Sequence, residues 1–279
     1  MGLSINQNIA AINSYRNLSN TQNDLSKSLE KLSSGFRINR AADDAAGLAI
    51  SEGLRSQVGG LKVAARNAQD GISVVQTAEG ALTEVHAILQ RMRDLGVQAA
   101  NDSNNADART NIKTEADSLV EELDRIAQST NFNGKALLNG AGTMSFQVGA
   151  DGNSNSAIEV DLTNANVASI SSSLSSGASA LDFSTHAAAQ SSIETLDAKI
   201  GDVSTARAEL GAYQNRFEHT IKNINVAVEN LSASESRIRD TDMAQEMVSF
   251  TRAQILSQAG TAMLAQANQI PQGVLSLLR

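Results

Sequence analysis

The sequence has no cysteine and no tryptophan, a single proline, and few aromatic residues, with two tyrosines and six phenylalanines in 279 positions. The absence of cysteine excludes disulfides, cysteine-ligated metals and thiol catalysis. Hydrophobic residues still make up 41% of the chain, so its core must consist of leucine, isoleucine, valine and alanine. These side chains suit seams between closely spaced helices. The composition therefore predicts a helical, elongated protein.

Basic residues are fewer than acidic ones, so the formal net charge is −8. No stretch of lysine and arginine forms a basic stripe. Nucleic-acid binding is driven by clustered cations that release counterions from phosphates. We therefore predict no nucleic-acid partner. The first residues, 1–6, carry neither the basic nor the apolar stretch of a secretory signal peptide. Any export is expected to use another route.

Hydrophobic residues recur at steps of three, four and seven along four segments, which is the spacing of one face of an amphipathic helix. The first stripe comprises Leu18, Leu25, Leu29, Leu32 and Phe36, preceded by Ile5, Ile9 and Ile12. The second runs from Leu54 to Ala99, the third is Ile112, Ala116, Leu119, Leu123 and Ile126, and the fourth runs from Ile193 to Ile238. We predict a mainly α fold, an elongated coiled-coil bundle of long helices.

The second stripe is unusually long for a compact domain. A helix from Leu54 to Ala99 would reach roughly 70 Å at 1.5 Å per residue. The alternative is a pair of ordinary helices that are broken at Gly80. The third stripe ends at Asn131-Phe132-Asn133-Gly134, whose Asn-Gly pair is a strong turn signal.

The middle of the chain is the least helical part. Met144, Phe146 and Val148 alternate with polar residues, and Ile158, Val160 and Leu162 do the same after a segment rich in Gly, Asn, Asp and Ser. This pattern predicts a β-hairpin within residues 140–165. Residues 169–180 are nearly all Ser, Ala and Gly, so we predict a flexible, exposed loop across residues 166–188.

The two ends of the chain carry apolar residues with no obvious packing partner elsewhere in the sequence. No charged side chain occurs from Ala253 to Leu278, yet several glutamines and asparagines make this segment too polar to span a bilayer. A long uncharged surface is poorly soluble in water. Burial against copies of the same chain resolves this, because neutral amides can then hydrogen-bond without the desolvation cost of charges.

Motifs that carry chemistry are missing. Asp151 to Asn155 resembles the start of a calcium loop, but Ser156 and Leu162 stand where glycine and bidentate glutamate are needed. The histidines lack ligand-spaced neighbours, and no nucleophile elbow or phosphate-binding loop occurs. The Asp43–Asp44 pair is interpreted as surface or interface charge beside Arg37 and Arg40. We predict no enzyme activity, no cofactor and no metal.

Two long segments resemble the terminal signatures of bacterial flagellins. They are Ser34 to Ile50 (SGFRINRAADDAAGLAI) and Asn230 to Ala244 (NLSASESRIRDTDMA), and Ala262 to Leu278 is similar to flagellin C-termini. The resemblance covers roughly residues 1–140 and 190–279. It implies a structural subunit that polymerises into the flagellar filament for swimming motility, in a short form without a large inserted outer domain.

The resemblance also implies a domain division. Residues 1–44 and 239–279 would pair as a coiled coil that lines the filament channel and is disordered in the free monomer, and residues 45–238 would form a helical rod. The assembly residues expected from it are Ile5, Ile9, Leu25, Leu29, Leu32, Arg37, Asp43, Met243, Met247, Phe250, Leu264 and Leu275.

The expected partners likewise follow from the resemblance. They are further copies of the chain, an export chaperone that holds the C-terminal helix, hook-filament junction and cap proteins, and Toll-like receptor 5 of hosts, through Arg91, Leu95 and Glu115. The chain would be secreted without a cleaved signal peptide. Two alternatives remain: a hook-filament junction protein, and a secreted coiled-coil protein that interacts with membranes.

Overall fold

A computed structural model describes residues 8–176 and 180–277, with side chains described up to residue 269. It is mainly helical, which confirms the predicted fold class. The helices are α1 (Ile9–Ser34), α2 (Ala45–Ala99), α3 (Ala106–Ser129), α4 (Val167–Ser175), α5 (His186–Arg239) and α6 (Met243–Leu277). The strands are β1 (Asn131–Phe132), β2 (Lys135–Ala136), β3 (Thr143–Gln147) and β4 (Ala157–Asp161).

The second stripe forms one uninterrupted helix of 55 residues, which confirms the single long helix over two shorter ones. Gly80 does not break α2, and a Cβ built on it would meet no atom within 4 Å. The glycine therefore lies on an open face, where its cost to the helix is only about 1 kcal/mol relative to alanine. The third and fourth stripes form α3 and α5, as predicted.

The described residues separate into two compact units. The central unit is Val58–Glu229, and the terminal unit contains the chain up to Gln57 and from Asn230 onward. The domain boundaries predicted from the sequence, at residues 44/45 and 238/239, lie near the ends of helices. The observed boundaries between the two units instead fall inside α2 and α5. The first turns of α2 and the last turns of α5 belong to the terminal unit because they contact each other, as the 2.7 Å ion pair between Arg239 and Glu52 shows.

The core of the central unit is built on α2, α3 and α5, with the hairpin of β3 and β4 packed against them. Phe217 is fully buried in this core and meets the Phe146 ring edge to face, with ring centroids 5.6 Å apart. Gly71 makes room for Phe217, because a Cβ on Gly71 would lie 2.7 Å from Cζ of that ring. One glycine thus sets how closely an aromatic ring packs on α2.

Both predicted turns of the middle region are confirmed. Asn133 (φ 49°) and Gly134 (φ 78°) connect β1 and β2, and positive φ at both positions is the requirement of a type I′ hairpin turn. In the longer hairpin, Met144 pairs with Val160 and Phe146 with Ile158. The alternating apolar residues therefore share one face of the sheet, which covers the core.

The predicted loop over residues 166–188 is wrong in its first part, where Val167–Ser175 forms helix α4, and at its end, where α5 begins at His186. Val167, Ile170 and Leu174 have helical spacing and are buried. The Asn166 side chain caps the helix by accepting a hydrogen bond from the Ser169 amide. The helix satisfies its serines locally, since their hydroxyls donate to carbonyls three residues earlier. Composition alone concealed these buried apolar positions.

Candidate assembly surface of the terminal helices

Helices α1 and α6 pair antiparallel in the terminal unit. Near the start of α1, Asn8 Nδ2 donates to the carbonyl of Ala267 (2.7 Å). In the middle, a Cβ on Gly260 would lie 3.2 Å from Leu18 Cδ1, and toward the end of α1 the Lys31 ammonium lies 3.7 Å from the Glu246 carboxylate. Early residues of α1 thus meet late residues of α6.

The seam between α1 and α6 follows alternating steps of three and four residues, as in a coiled coil. Apart from Glu30 and Lys31, the less exposed residues of α1 are Ala11, Ser14, Leu18, Thr21, Leu25, Ser28 and Leu32, and those of α6 are Glu246, Phe250, Ala253, Ser257, Gly260, Leu264 and Ala267. The seam therefore combines leucines and one phenylalanine with small residues, and Glu246 lies at its end. Of the expected assembly residues, Leu25, Leu32, Phe250 and Leu264 lie within this seam inside one subunit.

A short strand bridge, defined here as residues 35–37 paired with residues 239–241, ties the two ends of the chain together. The Arg37 amide donates to the Arg239 carbonyl (2.7 Å), and the Thr241 amide donates to the Gly35 carbonyl (3.0 Å). The Arg37 side chain also donates to the Ile238 carbonyl (2.6 Å). The expected assembly residue Arg37 therefore acts within the subunit. It holds the segment after α1 to the segment before α6.

Arg239 is a residue of this bridge that the sequence analysis missed. Its guanidinium lies 2.7 Å from Glu52 and 4.8 Å above the Phe36 ring, and its side chain is only 16% exposed. A cation over an aromatic ring is stabilised by the quadrupole of the ring. Arg239 thus connects the end of α5 to both α2 and the segment after α1. A signal was available, because Arg239 lies inside the second flagellin-like signature.

Replacing Arg239 by methionine, an unbranched side chain without charge, is expected to weaken the terminal unit. Loss of the ion pair and of the ring contact should cost about 1 kcal/mol, discounted because Glu52 is half exposed. The amides of Arg37 and Thr241 should then exchange hydrogen about fivefold faster. The matched control is Arg55→Met, since Arg55 contacts the same glutamate at 3.8 Å with both side chains exposed. Equal exchange rates in the two variants would contradict this role.

The Asp43–Asp44 pair organises the turn before α2. Asp43 Oδ2 accepts hydrogen bonds from the amides of Arg40 (2.9 Å) and Asn39 (3.1 Å). Asp44 Oδ1 accepts from the Gly47 amide (2.8 Å) and so caps α2. Arg40 forms its ion pair with Glu30 (2.9 Å) rather than with either aspartate. The expected assembly residue Asp43 therefore shapes the turn before α2.

The backbone hydrogen bonds from Arg40 and Asn39 lower the pKa of Asp43 below its ordinary value. A carboxylate with a lowered pKa in the folded chain stabilises the turn above the pKa of the unfolded chain, and this contribution is lost as pH falls through the folded pKa. We therefore expect an NMR carboxyl titration of Asp43 to fall below that of an ordinary aspartate. Titration of Asp43 at the ordinary value would contradict the hydrogen-bonded turn.

The outward side of α6 carries a shallow surface groove, here called the α6 groove, which is lined by Met247, Val248, Thr251, Arg252, Ile255 and Leu256. Its apolar side chains are exposed, with Ile255 at 60%. On α1, Ile9, Ile12 and Tyr15 are exposed in the same way. Nothing within the subunit covers these described apolar side chains, so they form a candidate contact surface.

The remaining expected assembly residues are either exposed or lie outside the part of the chain whose side chains the structure describes. Ile9, Leu29, Met243 and Met247 are exposed. Ile5 lies outside the described residues, and Leu275 lies in α6 beyond the last described side chain. Ile255 and Val248 were not among the expected assembly residues, although the loss of charge after Arg252 points to the part of α6 that contains Ile255.

The expected receptor residues are close together in the central unit but differ in exposure. Arg91 Nη2 and Nε donate to Glu115 Oε1 at 2.6 and 3.0 Å, and both side chains are about half exposed. Leu95 is only 1% exposed and packs in the core. Leu95 therefore has no surface to offer a receptor in this structure, and the accessible feature is the Arg91–Glu115 ion pair.

Other kinds of site receive no support from the geometry of residues 8–176 and 180–277. No group of three or more metal-binding side chains converges within these ranges. Among the described helices, no segment is both long enough and apolar enough to cross a membrane.

Comparisons with known proteins agree with the terminal architecture. Residues 5–143 match the bacterial flagellin N-terminal helical region, and residues 193–278 match the bacterial flagellin C-terminal helical region. A flagellin of Halalkalibacterium halodurans is 54% identical, and the match covers 99% of each chain. A flagellar filament 33 kDa core protein of Treponema phagedenis is 47% identical, again over 99% of each chain.

Among solved structures, a protein described as flagellar hook-associated, from Vibrio parahaemolyticus, superposes with a TM-score of 0.58 at 14% identity, covering 71% of this chain and all of that one. At this identity the likeness shows a shared fold alone. The two family regions together span most of the sequence, and the relatives match it from end to end. This chain therefore belongs to the bacterial flagellin family.

Proposed function

We propose that this chain is a structural subunit of the bacterial flagellar filament and that its α1–α6 pair carries polymerisation with further copies. The observation that carries the proposal is the α6 groove, an exposed apolar surface on a helix that has no charged side chain from Ala253 to Leu277. Isolated exposed leucines are normal, but a contiguous apolar surface of this kind is typical of a protein contact. The function is structural, so no catalytic step is involved.

Burial between subunits explains why the ends of the chain have this composition. Ordering a terminal segment costs roughly 1 to 2 kcal/mol per residue in conformational entropy, which burial against neighbours must offset. Neutral amides such as Gln258 and Gln266 can hydrogen-bond in such an interface, whereas charges would have to be desolvated. A contact between two different surfaces does not close on itself, so its repetition produces an open helical filament.

The same surface explains the accessory partners that we propose. Before assembly the exposed side chains Met247, Val248 and Ile255 require protection from water, which an export chaperone that holds α6 supplies. The ends of the growing filament would contact the cap and the hook-filament junction proteins. The chain would be secreted into the extracellular filament, and neither nucleic acid nor membrane is a proposed partner.

The test is elongation of short filament seeds by purified subunits, followed by electron microscopy. The full chain is compared with a chain that lacks residues 1–35 and 253–279. Growth of the full chain alone supports the proposal, and failure of both chains favours a hook-filament junction protein. Binding of the full chain to liposomes at physiological salt would instead support the membrane-interacting alternative.

We further propose that the exposed Arg91–Glu115 pair is part of a surface recognised by Toll-like receptor 5. Because Leu95 is buried, the side chains available for contact are Arg91 and Glu115. A variant with Arg91→Ala and Glu115→Ala is expected to signal at least tenfold more weakly, since a charge-assisted contact contributes about 1.5 to 3 kcal/mol. The control is Lys113→Ala with Asp117→Ala, which removes an exposed ion pair of α3. Equal signalling by both variants would refute the proposal.

A further inference from the structure

The seam of the α1–α6 pair repeats itself every seven residues. Leu18, Leu25 and Leu32 follow one another at this interval on α1, and the small residues Ala253, Gly260 and Ala267 do so on α6. The three contacts that fix the pairing put Leu18 level with Gly260, and by antiparallel continuation Leu25 is level with Ala253. Leu18 and Leu25 therefore face small residues of α6, whereas Leu32 lies level with Glu246.

A shift of α6 by seven residues reproduces the same complementarity. Leu18 would then face Ala267, Leu25 would face Gly260, and Leu32 would face Ala253, so each leucine still meets a small residue. The polar layers also survive, because Ser28 replaces Thr21 as the partner of Ser257. Coiled coils depend on distinctive seam residues to specify one register, and the leucine layers of this seam do not distinguish the two registers. The shift would remove the Asn8–Ala267 hydrogen bond, the Lys31–Glu246 ion pair and the packing of Phe250 level with Ser28.

The strand bridge has no such ambiguity. It requires the Arg37 amide to meet the Arg239 carbonyl and the Thr241 amide to meet the Gly35 carbonyl. A shift of seven residues along a helix is a displacement of about 10.5 Å, which would break both hydrogen bonds. Only the observed register therefore satisfies the bridge and the seam together.

We propose that the strand bridge, and not the leucine layers of the helix seam, sets the axial register of α1 against α6. The bridge positions the α6 groove relative to α1, so that every subunit presents the same contact surface. This inference concerns packing within one chain and does not depend on the proposed polymerisation. It assigns Arg37 and Thr241, through their backbone amides, a positioning role at the start of the coiled coil.

The absence of cysteine allows a disulfide test without background. Three variants share Ser257→Cys on α6 and differ in the second cysteine on α1, which replaces Thr21, Ser28 or Ser14. Disulfides form only when the two Cα atoms are within about 7 Å, and neighbouring heptads are about 10.5 Å apart. Thr21→Cys reports the observed register, Ser28→Cys reports the shift described above, and Ser14→Cys reports the opposite shift.

With the bridge intact, we expect only the Thr21→Cys pair to close. Arg37→Pro and, separately, Thr241→Pro each remove one amide donor of the bridge, and in both backgrounds the Ser28→Cys pair should close in addition to the Thr21→Cys pair. The control is Arg37→Ala, which removes the guanidinium but keeps the amide, and should close the Thr21→Cys pair alone.

Two outcomes would overturn the inference. Closure of the Thr21→Cys pair alone in both proline backgrounds would show that the seam sets its own register, and closure of no pair would show that the bridge is needed for pairing itself. The yields are measured in the soluble and the sedimented fractions. A chain that closes the Thr21→Cys pair but never sediments as filaments would refute the proposed function while leaving the register inference intact.

Discussion

An acidic side chain in the α6 groove is expected to abolish filament growth. Ile255→Glu places a carboxylate at a position that is 60% exposed in the subunit and, on our account, buried between subunits. Burial of a charged carboxylate costs several kcal/mol, and the cost recurs in every subunit of the filament. We expect seeds incubated with this variant to show no measurable elongation by electron microscopy.

The matched control is Ile255→Gln, which has nearly the same length as glutamate but no charge. It loses the apolar contact of isoleucine, so elongation should be slower than for the unmodified chain yet still occur. Circular dichroism should show unchanged helix content in both variants, because the side chain faces water in the subunit. Normal elongation by Ile255→Glu would mean that this part of α6 stays exposed in the filament.

Phe217→Ala is expected to produce the largest loss of stability in the central unit. The ring is fully buried between Phe146 and the backbone of Gly71, so truncation leaves a cavity that α2 cannot fill. Substitutions of this kind cost about 3 to 5 kcal/mol. The free energy of unfolding, measured by urea denaturation and circular dichroism at the helix band, should fall by that amount.

Two companion variants test whether packing is the cause. Phe217→Leu retains most of the volume and should cost less than about 1.5 kcal/mol. Gly71→Ala leaves the ring in place but introduces a Cβ at 2.7 Å from it, and overpacking of this kind costs about 1 to 3 kcal/mol. A Phe217→Ala loss no greater than that of Phe217→Leu would contradict the central position of this ring.

Hydrophobic spacing predicted the helices well but not their faces. The sequence placed Leu25, Leu29 and Leu32 on one stripe, whereas the structure buries Leu25 and Leu32 partly in the seam and leaves Leu29 51% exposed. The seam partners of Leu25 and Leu32 on α6 are the small residue Ala253 and the charged residue Glu246, which carry little hydrophobic signal. Which face of α1 is covered therefore depends on a segment more than 200 positions away in the printed sequence, which local periodicity does not reveal.

Composition and motif matching reached their limits at other positions. The serines of α4 suggested a loop because composition averages over a segment, whereas the helix depends on three apolar positions and one capping asparagine. For Leu95, a matching motif predicted a receptor contact, but exposure is a property of the packed chain. Arg239 was missed because its importance arises from Glu52 and Phe36, which meet it only after folding.

The central claim is that polymerisation covers the α6 groove, and thiol labelling of an Ile255→Cys variant tests it most directly. The chain has no native cysteine, so a maleimide reagent would report this position alone. We predict rapid labelling of the soluble subunit and strong protection in the assembled filament. Labelling at the same rate in both states would contradict the claim that this surface carries assembly.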